Sequence, residues 1–150
     1  MLQQIRPEDL PELFKKLNNE FFVVRGKVGA LETTYPEMAA AAACYRFWGI
    51  EHNGVNRAAL VEKRVKAHLS STTVHLSFIG LVWVDPASRG QGLGRQLMEQ
   101  VVCELKSQQV DAIVLWSALG NFYEKYGWES CDRSLFCRIC LLYTSDAAAD

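Results

Sequence analysis

Three glycines between a β-rich run and an amphipathic helix constrain this chain more than any other feature. In the stretch VDPASRGQGLGRQLM, Gly90, Gly92 and Gly94 follow an apolar run that ends at Val84 and precede a helical pattern. Three alternating glycines carry an entropic cost that an ordinary connection does not require. Where such a turn leads into a helix, successive backbone N–H groups form a concave donor surface that binds anions. The stretch therefore predicts an α/β fold with an anion-binding turn.

Two familiar phosphate loops do not fit this spacing. A dinucleotide fingerprint needs G-x-G-x-x-G, whereas the glycines here follow G-x-G-x-G. A P-loop ends in Gly-Lys-Ser or Gly-Lys-Thr, and the sequence contains neither tripeptide. The turn instead suits a pyrophosphate without a nicotinamide, and Arg89 and Arg95 are expected to add positive charge at its rim.

The bulk composition is that of one globular domain. Of the 150 residues 49% are apolar, which is enough for a core, and 16 basic against 17 acidic residues give a net charge of −1. Such a balance creates no general attraction to nucleic acid or anionic lipid. Five scattered cysteines form no disulfide framework and show no zinc-ligand spacing, and no apolar run suits a secretion signal or a membrane span. We therefore expect a cytoplasmic protein without a metal.

Hydrophobic periodicity predicts the order β-α-(α)-β-β-β-α-β-α-(β), a mixed sheet with flanking helices. Residues 21–34 fit no element. Strands are expected at 2–5, 44–50, 55–69, 73–84 and 111–116, with a further one starting at 134–139, and helices at 7–17, 93–105 and 119–126.

The region after residue 50 is predicted to be a hairpin. Asn53-Gly54 suits a type I′ turn, because both central residues of that turn take positive φ. Residues 55–69 fit both a helix and a strand, and the polar–apolar alternation favours a strand. Lys63, Arg64 and Lys66 are expected on its solvated face.

The stretch LVWVDPASRGQGLGRQLM resembles the acetyl-CoA-binding motif of the GNAT superfamily of N-acetyltransferases. That motif reads Arg/Gln-x-x-Gly-x-Gly/Ala, and Arg89, Gly92 and Gly94 fill it position by position. A second stretch, FYEKYGW, is similar to the family's aromatic-Tyr-x-x-x-Gly-aromatic segment. The resemblance implies a GNAT-like acyl-CoA N-acyltransferase fold, with acetyl-CoA as cosubstrate.

The resemblance also implies where acetyl-CoA binds. The strand before the loop splays from its neighbour, through a break that a bulge can supply, and offers backbone groups to the pantetheine arm. The loop amides hold the pyrophosphate, and a serine stands near the asparagine position of many members. The implied cofactor-binding residues are Leu81, Val82, Trp83, Val84, Arg89, Gly90, Gln91, Gly92, Leu93, Gly94, Arg95 and Ser117.

The implied reaction is direct acetyl transfer to a primary amine. A neutral amine attacks the thioester, backbone donors stabilise the oxyanion, and the thiolate leaves. Tyr123 matches the tyrosine that protonates the thiolate, and Tyr126 is the weaker candidate. Glu32, Glu37 and His75 are the candidates for a general base, with proton loss through water as the alternative.

Two alternatives remain open at this stage. Instead of an active acetyltransferase, the chain could be a non-catalytic acyl-CoA-binding regulatory module or a fragment of a longer GNAT-containing protein. The other alternative is a fragment of a dinucleotide-binding oxidoreductase, which the glycine spacing disfavours. The acceptor is expected to be a small-molecule or peptide amine. Pairing of two chains through an exposed sheet edge, which would form a homodimer, is a further alternative.

The last eleven residues, CLLYTSDAAAD, resemble the translated read-through of a sequencing adapter. We therefore expect residues 1–139 to form the GNAT-like domain, truncated at its C-terminal end, and Cys140–Asp150 to be a non-native tail.

Overall fold

A computed structural model describes residues 1–40, 44–115, 117 and 120–130. The chain divides into two compact units between residues 116 and 117, and each unit is described by itself. The second unit contains α5 (Gly120–Glu124). The first contains β1 (Leu2–Gln4), α1 (Leu10–Asn18), α2 (Leu31–Thr34), α3 (Pro36–Ala40), β2 (Tyr45–His52), β3 (Val55–Leu69), β4 (Thr72–Val84), α4 (Leu93–Ser107) and β5 (Ala112–Leu115).

The strands form one mixed sheet in the order β1-β2-β3-β4-β5. The pairs β1–β2, β2–β3 and β3–β4 are antiparallel, and the pair β4–β5 is parallel. A parallel pair needs a crossover connection, which α4 provides. The predicted mixed sheet with flanking helices is therefore confirmed. The strand expected at 134–139 and the tail Cys140–Asp150 lie outside the described residues.

The hairpin between β2 and β3 has the predicted turn. Asn53 and Gly54 take φ of +54° and +74°, as a type I′ turn requires. The ambiguous run is a strand throughout, paired with β2 on one side and β4 on the other. Lys63, which breaks the polar–apolar alternation, extends its Nζ over the Tyr45 ring at 5.3 Å from the centroid.

One face of the sheet packs against α1 and the turns that follow it. A 3-10 turn at Pro7–Asp9 leads into α1, so the helix predicted at 7–17 begins with that turn and ends at Asn18. The helical path continues through a π-helical turn, Asn19–Val23, in which Phe22 is 6% exposed and belongs to the core. The core on this face comprises Ile5, Leu10, Leu13, Leu17, Phe22, Leu31, Met38, Phe47, Ala59, Val61 and Trp83.

Helix α4, predicted at 93–105, covers the other face with a ridge of apolar side chains. Leu97, Val101 and Leu105 are fully buried, and side chains that alternate with the first core, such as Trp48 and Ile79, are buried as well. In the described part of the chain, no helix is both long and apolar enough to cross a membrane.

A buried polar cluster interrupts this second core. The carboxylate of Glu62, 0% exposed, accepts hydrogen bonds from Trp48 Nε1 (2.8 Å), Ser77 Oγ and Arg64 Nη2 (2.9 Å). Arg64 also donates to Gln108 Oε1 (2.8 Å), just after α4. We call these five residues the Glu62 cluster. Arg64 was predicted on a solvated face, but its side chain is only 25% exposed, because α4 covers that face of β3.

Candidate functional site

Strand β4 contains a bulge a few residues before its C-terminal end. Between the pairs Val61↔Gly80 and Ala59↔Trp83, β4 has one residue more than β3. Leu81, inside this stretch, takes φ of +49°. A bulge leaves one residue unpaired and bends its strand, so the pairing of β4 is locally interrupted here.

The other edge of β4 is supported over only part of its length. The parallel pairing with β5 runs from Leu76↔Ala112 to Ile79↔Leu115, where β5 ends. Within the described residues, Gly80–Val84 therefore has no strand beside it on that side. We call this segment the open end of β4. In general, the backbone groups of an unpaired strand edge can bind an extended ligand.

A tight turn connects the open end to the glycines. Asp85 Oδ1 accepts a hydrogen bond from Ala87 N (3.4 Å) in the 3-10 turn Pro86–Ser88. Asp85 Oδ2 pairs with Arg57 Nη1 at 2.5 Å, and this hydrogen bond lowers the pKa of the Asp85 carboxyl. The strand end and the turn are thereby fixed to β3.

Glycine occurs at the three positions of the turn for different structural reasons. Gly90 and Gly92 take φ of +78° and +77°, a region that side chains with a Cβ disfavour, and nothing lies within 4 Å of a Cβ at either position. Gly94 has no such φ, and a Cβ there would lie 3.4 Å from Val84 Cγ2. The first two glycines shape an open turn, and Gly94 lies in the first turn of α4, beside Val84.

The turn ends in the N-terminus of a long helix. Gly92 is the N-cap residue of α4, which has 15 residues and no side-chain cap. Gln96 N donates to Gly92 O at 3.0 Å, so the N–H groups between these residues have no acceptor within the helix. Together with the helix dipole, they form a donor surface suited to an anion. We call Arg89–Gly94 the glycine loop.

Both arginines at the rim of the loop are paired with glutamates. Arg89 Nη2 donates to Glu20 Oε2 at 2.6 Å, and its Nε donates to Val84 O at 3.2 Å. Arg95 Nε donates to Glu99 Oε1 at 2.7 Å on the surface of α4. The sequence predicted their charge but not these partners, so the positive charge at the rim is largely balanced.

Tyr123 lies in α5 of the second unit. Burial raises the pKa of Tyr123 above its usual value of about 10, and a hydrogen bond with Ser117 partly offsets the rise. Its ring makes edge contacts with Phe122 and Trp128 (centroids 5.1 and 6.3 Å apart), and Gly127 takes φ of +82° after the helix. Ser117, predicted to contact the cofactor, thus has the Tyr123 phenol as a partner.

The candidates for a general base are dispersed. Glu32 lies in α2, and Glu37 accepts a hydrogen bond from Tyr45 Oη (3.1 Å). His75 pairs with Lys66 of β3, one residue before the stretch of β4 that pairs with β5. Among the described residues, no three His, Cys, Asp or Glu side chains are grouped as metal ligands.

Comparisons with known proteins agree with this arrangement. A family model described as an acetyltransferase (GNAT) domain matches residues 3–131. An acetyltransferase from Trypanosoma brucei is similar in structure (TM-score 0.69, 20% identity, 89% of this chain and 94% of the other). So is a predicted acetyltransferase from Clostridium acetobutylicum solved with acetyl-CoA (0.69, 20%, 89% and 92%). Glucosamine-6-phosphate N-acetyltransferase from Arabidopsis thaliana also matches (0.64, 20%, 88% and 92%).

Proposed function

Since the chain belongs to the GNAT acetyltransferase family, we propose that it transfers the acetyl group of acetyl-CoA to a primary amine. The observation that carries the proposal is that a single tight turn connects the open end of β4 to the glycine loop. One side offers backbone groups to an extended chain and the other offers N–H groups to an anion. CoA has both parts in this order, a pantetheine arm joined to a pyrophosphate.

The glycine loop fits the pyrophosphate by shape and by charge. Gly90 and Gly92 leave open space beside the backbone, so a bulky anion can approach the N–H groups. Because both rim arginines are paired with glutamates, we assign most of the binding to backbone N–H groups of Gly90–Arg95 and to the α4 dipole.

The open end of β4 is assigned to the pantetheine arm and the reacting carbonyl. Leu81 to Val84 lie beyond the last pair with β5, so among the residues that the structure describes no strand pairs with them on that edge. Acetyl-CoA supplies an acetyl group activated as a thioester. A backbone N–H at the bulge would stabilise the negative charge that develops on the carbonyl oxygen.

Tyr123 is assigned as the proton donor. The amine nitrogen bonds to the acetyl carbon, the C–S bond breaks, and the phenol gives its proton to sulfur while the amine loses one to water or a base. The raised pKa keeps Tyr123 protonated throughout the neutral range. Ser117, which shares a hydrogen bond with this phenol, would orient it and contact the cofactor.

The acceptor is proposed only as a class, a small-molecule or peptide amine. One structural relative carries an amino-sugar phosphate in its name, but at 20% identity the similarity supports the fold alone. The chain has five scattered cysteines, and this odd number favours a reducing cytoplasmic location. A catalytically silent acyl-CoA-binding module is the alternative, and turnover decides between the two.

Thermal shift tests the cofactor. Acetyl-CoA at 100 times its dissociation constant should stabilise the full chain by about 2.7 kcal/mol, with NAD and ATP as matched comparisons. A shift with NAD and none with acetyl-CoA would contradict the proposal and favour a dinucleotide-binding protein.

Turnover against a panel of amines, followed by thiol release, tests the reaction. With a responsive amine, Tyr123→Phe should lower kcat by about 100-fold or more while acetyl-CoA still binds. Tyr126→Phe, three residues along the same segment, is the matched control and should keep its activity. Equal activity of the two variants would remove Tyr123 from the proton-donor role.

A further inference from the structure

We propose that Glu20 is a positioning residue for the pyrophosphate site. Through Arg89 it fixes the start of the glycine loop and so pre-organises the N–H groups that bind the anion. This inference rests on the proposed function. It assigns Arg89 a structural role at the site, in place of direct charge contact with the phosphate groups.

The contacts of Arg89 connect three parts of the first unit. Its backbone begins the glycine loop, its Nε holds the carbonyl of Val84 at the end of β4, and its Nη2 holds Glu20 in the π-helical turn. These two donors point in directions fixed by the planar guanidinium, so the side chain joins loop, strand and helical turn in one geometry.

The burial of Glu20 favours a lasting contact with Arg89. The side chain of Arg89 is 48% exposed, whereas that of Glu20 is only 19% exposed. If Arg89 left to contact a phosphate, the Glu20 carboxylate would remain mostly buried without its cation. A carboxylate that is mostly removed from water loses its cation at a cost, so the contact should persist when CoA binds.

Glu20 is itself held firmly. The π-helical turn is closed by Val24 N donating to Asn19 O (2.8 Å), and Phe22 anchors it in the core. Asn18 Oδ1 accepts a hydrogen bond from Leu31 N (2.8 Å), which fixes the next helix to the same point. Glu20 therefore provides a rigid anchor.

The glycine loop needs such an anchor. Gly90 and Gly92 have no side chains, and the space around them is open, so the loop contributes little packing of its own. A flexible loop must lose conformational entropy when it binds an anion. An anchor at Arg89, directly before the first glycine, reduces that cost and tightens binding.

The test compares acetyl-CoA with acetylpantetheine, which carries the same thioester without the pyrophosphate. Glu20→Gln should weaken acetyl-CoA binding by about tenfold and leave acetylpantetheine unchanged. Arg89→Lys keeps the charge but has a single nitrogen, so it should show the same loss. Glu99→Gln removes the partner of the other rim arginine by the same chemical change, and should bind both ligands like the wild type.

Three results would overturn the inference. Tighter acetyl-CoA binding by Glu20→Gln would show that Glu20 competes with the phosphate groups for Arg89. Wild-type affinity in Arg89→Lys would show that charge alone matters. Equal losses for both thioesters would show general damage to the first unit.

Backbone ¹⁵N relaxation without ligand separates this inference from the proposed function. Glu20→Gln should lower the order parameters of the Gly90 and Gly92 amides to below about 0.6, while Glu99→Gln should keep them near about 0.85. If this result holds while the wild type binds no acetyl-CoA, the proposed function fails and the anchoring of the loop stands. Unchanged order parameters in Glu20→Gln would contradict the anchoring itself.

Discussion

Strand β4 passes through two polar regions with opposite properties. Ser77 belongs to the Glu62 cluster, which is sealed between the sheet and α4. Four residues later, Leu81 has a positive φ and lies in the open end of β4, which leads to the glycine loop. In the cluster each buried donor meets an acceptor, whereas the open end of β4 has, among the described residues, no strand partner on its β5 side. A satisfied buried network contributes to stability, and exposed donors contribute to binding.

Glu62→Ala should have the largest effect, and it should fall on stability alone. The substitution removes the carboxylate that accepts from Trp48, Ser77 and Arg64, so the free energy of unfolding should drop by about 3–5 kcal/mol in urea denaturation. The folded fraction should keep its acetyl-CoA affinity. Glu99→Ala, on an exposed pair, should cost under ~0.5 kcal/mol. A stable Glu62→Ala protein with weak acetyl-CoA binding would reverse the comparison.

Gly92→Ala should damage binding more than stability. The alanine meets open space but must adopt φ near +77°, which costs about 1–2 kcal/mol or shifts the loop. Gly54→Ala is a matched control, since Gly54 has φ of +74°, equally open space and a place in the β2–β3 hairpin turn. Both variants should lose similar stability, and only Gly92→Ala should lose acetyl-CoA affinity, by about tenfold. Equal affinities, measured by calorimetry, would remove the glycine loop from the binding site.

Gly94→Ala should change stability and acetyl-CoA affinity very little, in contrast to Gly92→Ala in the same loop. A methyl group there reaches Val84 Cγ2 at an ordinary contact distance, and the backbone needs no positive φ. Because alanine favours helices over glycine by up to ~1 kcal/mol, thermal unfolding should show unchanged or slightly raised stability. Acetyl-CoA affinity should stay within about twofold. A loss as large as that of Gly92→Ala would mean that the anion contacts the Cα of Gly94.

Asp85 should make the stability of the folded chain depend slightly on pH in the acid range. The Arg57 hydrogen bond lowers the pKa of Asp85 in the folded state, so this contribution to stability is present above the unfolded value, about 3.9, and is lost as pH falls below it. Asp85→Asn should therefore flatten the stability profile below about pH 4 in acid titrations followed by circular dichroism. Arg57→Gln should flatten it similarly. An unchanged acid profile in both variants would show that this pair contributes nothing measurable.

Local signals in the sequence predicted much of the fold and the loop. Asn53-Gly54 and the glycines at 90 and 92 act through their own φ angles, so their turns follow from residue type. The ridge of α4 follows from helical spacing in the same way. These features depend on neighbours only a few residues away.

The remaining features depend on distant contacts. No residue type signals the bulge, because leucine at 81 has no preference for positive φ. Glu20 and Arg89 lie 69 positions apart, so their pairing appears only after folding. The alternation of β3 predicted two faces but not that α4 would cover the one bearing Glu62.

One measurement tests the binding site most directly. Selective ¹⁵N-glycine labelling gives the chain ten glycine amide signals, which are assigned with single glycine substitutions. On titration with CoA, the amides of Gly90, Gly92 and Gly94 should shift strongly, while those of Gly26 and Gly54 should stay in place. Acetylpantetheine should leave the loop amides nearly unchanged, because it lacks the pyrophosphate. If the loop amides stay in place while CoA binds and other glycines shift, the pyrophosphate lies elsewhere and the assignment of the glycine loop is wrong.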